Sequence, residues 1–244
     1  MENLLKGVCQ FRQNVFEKKK ALFEGLRDHQ EPKVLFITCS DSRVDPSLIT
    51  QSDPGELFVL RNAGQIIPPH GAESGVGQEA TIDYAIHHLG VQHIVLCGHT
   101  DCGALKALIQ SPIAGVPNTS ALTKWLYFAE STKQIADDLL QKAGCCEHDH
   151  DLSQGYQGDE AYTFENLDDA KTDAVFMKIT QTHVKMQLQH LKTIPSVARA
   201  FASGTIKIHG WVYCLHSGEV WLMDDVHYQR PKLRDSLRHK FQYI

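Results

Sequence analysis

No run of apolar residues in this sequence approaches the ~20 that a helix needs to cross a bilayer, so no membrane span is expected. Positive charge is not in excess either. The 24 Lys and Arg stand against 29 Asp and Glu, a formal net charge of -5. Nucleic-acid binding and polybasic attachment to a membrane surface rest on basic patches, so both are disfavoured. The N-terminus, MENLLKGVCQFRQNVFEKKK, lacks the uninterrupted apolar stretch of a secretory signal, and a cytoplasmic location is expected. Outside an oxidising compartment, the 7 cysteines, odd in number and irregular in spacing, read as thiols or metal ligands. No internal repeat divides the 244 residues, which suffice for one large α/β domain spanning 1–244.

What is present is an alternation of strand and helix patterns. Residues 3–28 carry Leu4, Leu5, Val8, Phe11, Val15, Leu22 and Leu26 at helical spacing and predict a long amphipathic helical arm. Three short apolar runs follow, at 33–38, 57–60 and 93–97. They show no inside–outside alternation, which predicts strands buried on both faces, as in a parallel sheet. Helical patterns occupy 76–89, 102–110, 119–143 and 171–191, and Pro195 starts another short helix. Residues 206–215 and 219–223 predict two strands joined by a hairpin turn at 216–218. The stretch 144–170 is polar and acidic and reads as a surface insertion. Such an alternation implies a mainly parallel sheet covered by helices. Sheets of that kind bind ligands outside the strand C-termini, where strand order reverses.

Two segments stand at such strand ends: CSDSR at 39–43 and GHTDC at 98–102. Zinc favours thiolate sulfur and imidazole nitrogen in tetrahedral geometry. His99 and Cys102 offer two such ligands on one strand-to-helix turn, and Cys39 offers a third from another strand end. Three protein ligands leave the fourth position open, which is the pattern of catalytic zinc. Cys97 and Cys214, placed inside strands, read as packing. Asp41 and Arg43, two apart, suit a clamp in which the guanidinium holds the carboxylate by two parallel hydrogen bonds. A carboxylate so held has a depressed pKa and only accepts hydrogen bonds, so it would orient a water beside the metal. Asp101 reads as a loop or capping residue, and Gly103 as a place where the backbone nears the metal. The cluster of Cys145, Cys146, His148 and His150 reads as part of the acidic surface stretch.

The motifs CSDSR (39–43), GELFVLRNAG (55–64), GVGQEATIDYAIHHLG (75–90), GHTDCGA (98–104) and IHGWVY (208–213) resemble those of the β-class carbonic anhydrases, in that order. The resemblance implies an α/β/α sandwich around a four-stranded parallel core with a fifth strand. It implies one zinc per chain on Cys39, His99 and Cys102, and a catalytic dyad of Asp41 and Arg43. The implied reaction is attack of zinc-bound hydroxide on carbon dioxide to give bicarbonate. Family members are dimers or higher oligomers, with active sites at the dimer interface and the N-terminal helix reaching over the partner. The family also has two site forms, one open and one in which the aspartate, here Asp41, becomes the fourth zinc ligand. Gln30, Phe58 and Tyr84 match the substrate channel of the open form. The bicarbonate-regulated closed form carries a Trp where this chain has Phe36, although Arg61 and Tyr213 match its other two positions. An open resting site is therefore expected.

Two other readings share these residues. A hydrolase of carbon disulfide or carbonyl sulfide would use the same ligands behind a different channel. A non-catalytic zinc module would serve assembly, for example at a carboxysome shell.

Overall fold

The computed structural model describes residues 1–110, 117, 119–142, 169–223 and 228–229. Six strands form one sheet: β1 (Val34–Cys39), β2 (Leu57–Asn62), β3 (His93–His99), β4 (Lys207–Tyr213), β5 (Val220–Met223) and β6 (Tyr228–Gln229), in the order β2-β1-β3-β4-β5-β6. The first four neighbours run parallel, and β5 and β6 pair antiparallel. The expected four-stranded parallel core and fifth strand are both present, and the two-residue β6 extends them. From β1 the chain moves to one side for β2 and returns to the other for β3, so strand order reverses between β1 and β3. Cys39 ends β1 and His99 ends β3. Both stand at the C-terminal side of that crevice, where a parallel sheet offers a ligand site.

The helices are α1 (Glu2–Gln10), α2 (Lys20–Gly25), α3 (Pro46–Thr50), α4 (Val76–His87), α5 (Gly103–Ile109), α6 (Ala121–Leu126), α7 (Glu130–Lys142), α8 (Asp169–Thr193) and α9 (Pro195–Ala202). One sheet face buries Leu35, Ile37, Ile94, Leu96 and Val212 against Ile82 of α4, Val184 and Leu188 of α8 and Val197 of α9. Each such Leu, Ile or Val side chain contributes roughly 1.5–3 kcal/mol when fully buried. The intervening residues Phe36, Val95 and Cys97 face the other way and pack with Trp211 and Tyr213. This is why β1 and β3 read as unbroken apolar runs, whereas β2, expected to be buried on both faces, lies at the sheet edge and leaves Val59 exposed. The short helix α3 went unforeseen, although its start is conventional. Asp45 accepts a hydrogen bond from the Leu48 N–H and Pro46 occupies the first turn. No helix among the described residues is long and apolar enough to cross a membrane.

Three expectations need correction. The arm is not one continuous helix. A π-helical stretch, Phe11–Phe16, follows α1, and the chain breaks at Lys19 before α2. Phe16 stacks on Phe23 at 5.0 Å between ring centroids, and Phe11 meets both edge-on. That local aromatic cluster bends the arm on itself, and none of its three helical segments contains a buried residue. At Gly103 a Cβ would meet no protein atom within 4 Å. The constraint falls on Gly98, where a Cβ would lie 2.8 Å from Val184 Cγ2 and 3.1 Å from Thr180 Cγ2. The predicted helix 119–143 is divided by a 3-10 turn at Tyr127–Ala129. Cys214 falls just past β4, not within a strand. The acidic stretch 144–168, with its Cys and His cluster, lies outside the described residues.

Candidate active site

The ends of β1 and β3 and the turn into α5 bring Cys39, His99 and Cys102 together. Their ligand atoms all lie within 4.8 Å of one another, and all three residues are buried. The two sulfurs are 3.9 Å apart. Two thiolates at ~2.3 Å from one tetrahedral zinc would stand about 3.8 Å apart. His99 Nδ1–H donates to the Thr100 carbonyl at 2.8 Å, which leaves Nε2 as the lone-pair nitrogen. That Nε2 is buried and has no hydrogen-bond partner among the described residues. A buried acceptor left alone costs free energy unless something else binds it. The neighbouring Cys102 side chain holds Cys39 well below the ordinary thiol range. The same contact, with burial, pushes Cys102 upward. A dication between the two sulfurs would favour the thiolate form of both. The donor set fits zinc.

Asp41 and Arg43 form the expected clamp. Arg43 Nη2 donates to Asp41 Oδ2 at 2.8 Å, Nε donates to Oδ1 at 3.0 Å, and the Arg43 backbone N–H donates to Oδ1 at 2.9 Å. Those hydrogen bonds hold the Asp41 carboxyl well below the usual carboxylate range. Its Oδ2 lies 3.9 Å from His99 Nε2, so the carboxylate borders the ligand set while staying on Arg43.

Asp101 does more than the loop role expected of it. Its Oδ2 accepts from Arg43 Nη1 at 2.7 Å and its carbonyl accepts from Nη2 at 3.0 Å. Lys106 holds its other oxygen, and that contact, followed by Arg43, lowers its pKa. The residue adopts a left-handed backbone at φ 58, which aspartate tolerates better than most. Arg43 is therefore gripped from both sides, between Asp41 and Asp101. Arg61 is likewise engaged: Nε donates to the Cys39 carbonyl at 3.0 Å and Nη2 to the Asp41 carbonyl at 2.7 Å. Phe36, fully buried, meets Trp211 edge-on at 5.8 Å.

The residues matched to the substrate channel lie apart from this cluster within one chain. Gln30 is exposed beyond the arm. Phe58 and Tyr84 meet each other, with ring centroids 5.9 Å apart. Phe58 pairs with Leu35, four residues before Cys39 in β1. That separation is about 13 Å at the rise of a strand.

This geometry has known counterparts. A family model described as carbonic anhydrase matches residues 34–220. A carbonic anhydrase of Synechococcus elongatus is 39% identical over 221 residues, 90% of this chain and 70% of that protein. One from Pseudomonas aeruginosa is 38% identical over 224 residues, covering 92% of this chain and 88% of its own length. The chain belongs to the β-carbonic anhydrase family. Among solved structures, that of the β-carbonic anhydrase CcaA is similar at a TM-score of 0.77 and 34% identity, covering 95% of this chain and 99% of that one. The activity of a β-carbonic anhydrase is the reversible hydration of carbon dioxide, a lyase reaction, and the mixed sheet flanked by helices is that family's fold.

Proposed function

We propose that this carbonic anhydrase works with one zinc ion per chain on Cys39, His99 and Cys102, and that Asp41, held by Arg43, orients the reacting water. The observation that carries the reading is the unpartnered, buried Nε2 of His99 facing two sulfurs 3.9 Å apart, beside a clamped carboxylate. Zinc held there would supply the Lewis acidity that makes water nucleophilic near neutral pH. The protein's own part is orientation. An ionised Asp41 accepts a hydrogen bond from the water and turns an oxygen lone pair toward the carbon of carbon dioxide. A C–O bond forms, one C=O π bond opens, and the proton leaves for solvent. Arg43 keeps Asp41 ionised and off the ligand set, which describes the open form. Burial of Phe36 against Trp211 supports the same form, because phenylalanine has no N–H with which to hold an anion.

Stopped-flow hydration of carbon dioxide by the zinc-loaded protein tests the reading. The expected result is saturable hydration that disappears when the metal is removed. Turnover of carbon disulfide or carbonyl sulfide in its place, or a zinc-loaded protein inert to all three, would overturn it.

The working unit we assign is at least a dimer. The arm exposes Leu4, Leu5 and Val8 at 69%, 60% and 65%, an apolar stripe that a single chain leaves in water. Gln30, Phe58 and Tyr84 would then line the approach to zinc across the interface. Sedimentation should give a dimer or larger, and removal of residues 1–28 should shift it toward monomer with loss of activity. A fully active monomer would contradict this assignment.

A further inference from the structure

The Cys39 sulfur has a protein partner besides Cys102. The Gly64 N–H donates to it at 3.3 Å. Gly64 sits in the loop after β2 with a left-handed φ of 79, and a Cβ there would stand 3.1 Å from Ala104 Cβ. Only glycine accepts both demands without strain. A hydrogen bond to a metal-binding sulfur withdraws electron density from it, and its strength depends on how firmly the N–H is aimed. The structure therefore poses a definite question: what holds the two peptide planes that flank Gly64?

Both planes are held by side chains from distant elements. The N–H belongs to the Ala63–Gly64 peptide, whose carbonyl accepts from Trp125 Nε1–H of α6 at 2.8 Å. A donor on that carbonyl polarises the same peptide and strengthens its N–H as a donor. The next peptide, Gly64–Gln65, presents its carbonyl to His183 Nε2 of α8 at 2.9 Å. Because a carbonyl only accepts, His183 must carry its proton on Nε2. Its Nδ1 then accepts from the Thr132 hydroxyl of α7 at 3.0 Å, which fixes that tautomer. His183 is fully buried. Burial pushes its pKa down to about 4, so the ring is neutral near physiological pH. The grip continues along α8: Gln187 Oε1 accepts from the Ile67 N–H, and His190 Nδ1 bonds the Ile67 carbonyl, each at 2.8 Å.

We propose that His183 and Trp125 are positioning residues that aim the Gly64 N–H at the Cys39 sulfur and thereby set how much charge Cys39 donates to the metal. Neither touches the reacting atoms. The inference rests on the reading of Cys39 as a zinc ligand.

Cobalt(II) substitution tests it, because the thiolate-to-cobalt charge-transfer band reports charge on sulfur directly. In Trp125→Phe and His183→Leu the hydrogen bond weakens, the sulfur lone pairs rise in energy, and the band should move to longer wavelength. His183→Gln, whose amide N–H can reach the same carbonyl, should restore the band toward the parent position. Zinc loss to a chelator should accelerate roughly tenfold in His183→Leu, the low end of what loss of a ligand's supporting hydrogen bonds costs. If His183→Leu does not fold, Trp125→Phe decides, since its site is partly exposed and the substitution keeps an aromatic ring there. Folded variants with the parent's band and the parent's rate of zinc loss would overturn the proposal. A parent protein that takes up cobalt with no thiolate band would instead overturn the assignment of Cys39 as ligand.

Discussion

Replacing Cys39 by serine is expected to leave a chain that folds but holds almost no zinc, and hydration should fall to background with it. Cys39 is 4% exposed at the end of a central strand, so its side chain has no freedom to be replaced by a neighbour. A serine hydroxyl keeps its proton near neutral pH, so the substitution removes both a soft donor and a negative charge. The remaining pair, His99 and Cys102, is too few for a zinc site with three protein ligands. The loss should exceed the roughly 10–100-fold drop in affinity seen when only a supporting residue is removed. His99→Ala should behave alike, since it deletes the one nitrogen of the ligand set, which has no protein partner among the described residues. Cys97→Ser is the control. Cys97 lies on β3 two residues before His99, its thiol pushed up to about 12 by burial, and it packs with Phe36 and Val95. It should keep one zinc per chain. Metal analysis after gel filtration, with circular dichroism to verify folding, reads all three, and full zinc in Cys39→Ser would remove the site as assigned.

The ligand set was legible because its signals are local. Two strands read from unbroken apolar runs, and each ended in a residue of metal-binding chemistry. The sheet needed only the rule that parallel strands are buried on both faces. The support of the site was not legible, for a physical reason. His183, Thr180 and Gln187 are fully or nearly fully buried, yet on an amphipathic helix polar residues at such spacings read as the solvent side. His183 and Gln187 face inward because the loop 62–67 brings backbone groups that need partners, and nothing in the helix's own sequence announces that loop, whereas the Thr180 hydroxyl donates to the Phe176 carbonyl of its own helix. A helix polar on two faces was the available sign. Asp101 was missed similarly. Its partner Arg43 is 58 residues away in sequence, and the contact exists only because β1 and β3 are neighbours. The arm failed in the other direction. Its apolar spacing was helical, but the mutual contact of Phe11, Phe16 and Phe23 stabilises a bend that periodicity does not encode.

Asp41→Asn should retain zinc and lose hydration by about 10²–10³-fold, within the usual range for a positioned proton-accepting group. The substitution conserves shape, so the three contacts with Arg43 allow the side chain to stay in place. The charge does not stay. An ionised carboxylate only accepts hydrogen bonds, whereas an amide presents a donor from one side. A donor aimed at the water would occupy the lone pair that must attack carbon. The loss should therefore fall mainly on kcat. Arg43→Ala should act in the same direction by freeing Asp41. Arg43→Lys should not rescue fully, because a single ammonium cannot span both oxygens of Asp41 and the Asp101 carboxylate as the guanidinium fork does. Asp101→Asn, which loosens only the far grip on Arg43, should cost a few-fold at most, given that the pair is about half exposed. The sign of the pH dependence follows from the depressed pKa of Asp41. The stability contributed by its pairing is fully present above the ordinary aspartate value of about 3.9 and is lost as pH falls toward the lower folded value. Asp41 thus stays a carboxylate throughout a hydration assay between pH 6 and 9, roughly the range where such assays run. Whatever ionisation the parent's rate shows in that window should survive unchanged in Asp101→Asn. Stopped-flow rates together with zinc content decide the matter, and an Asp41→Asn protein with full zinc and the parent's rate would take the dyad out of the mechanism.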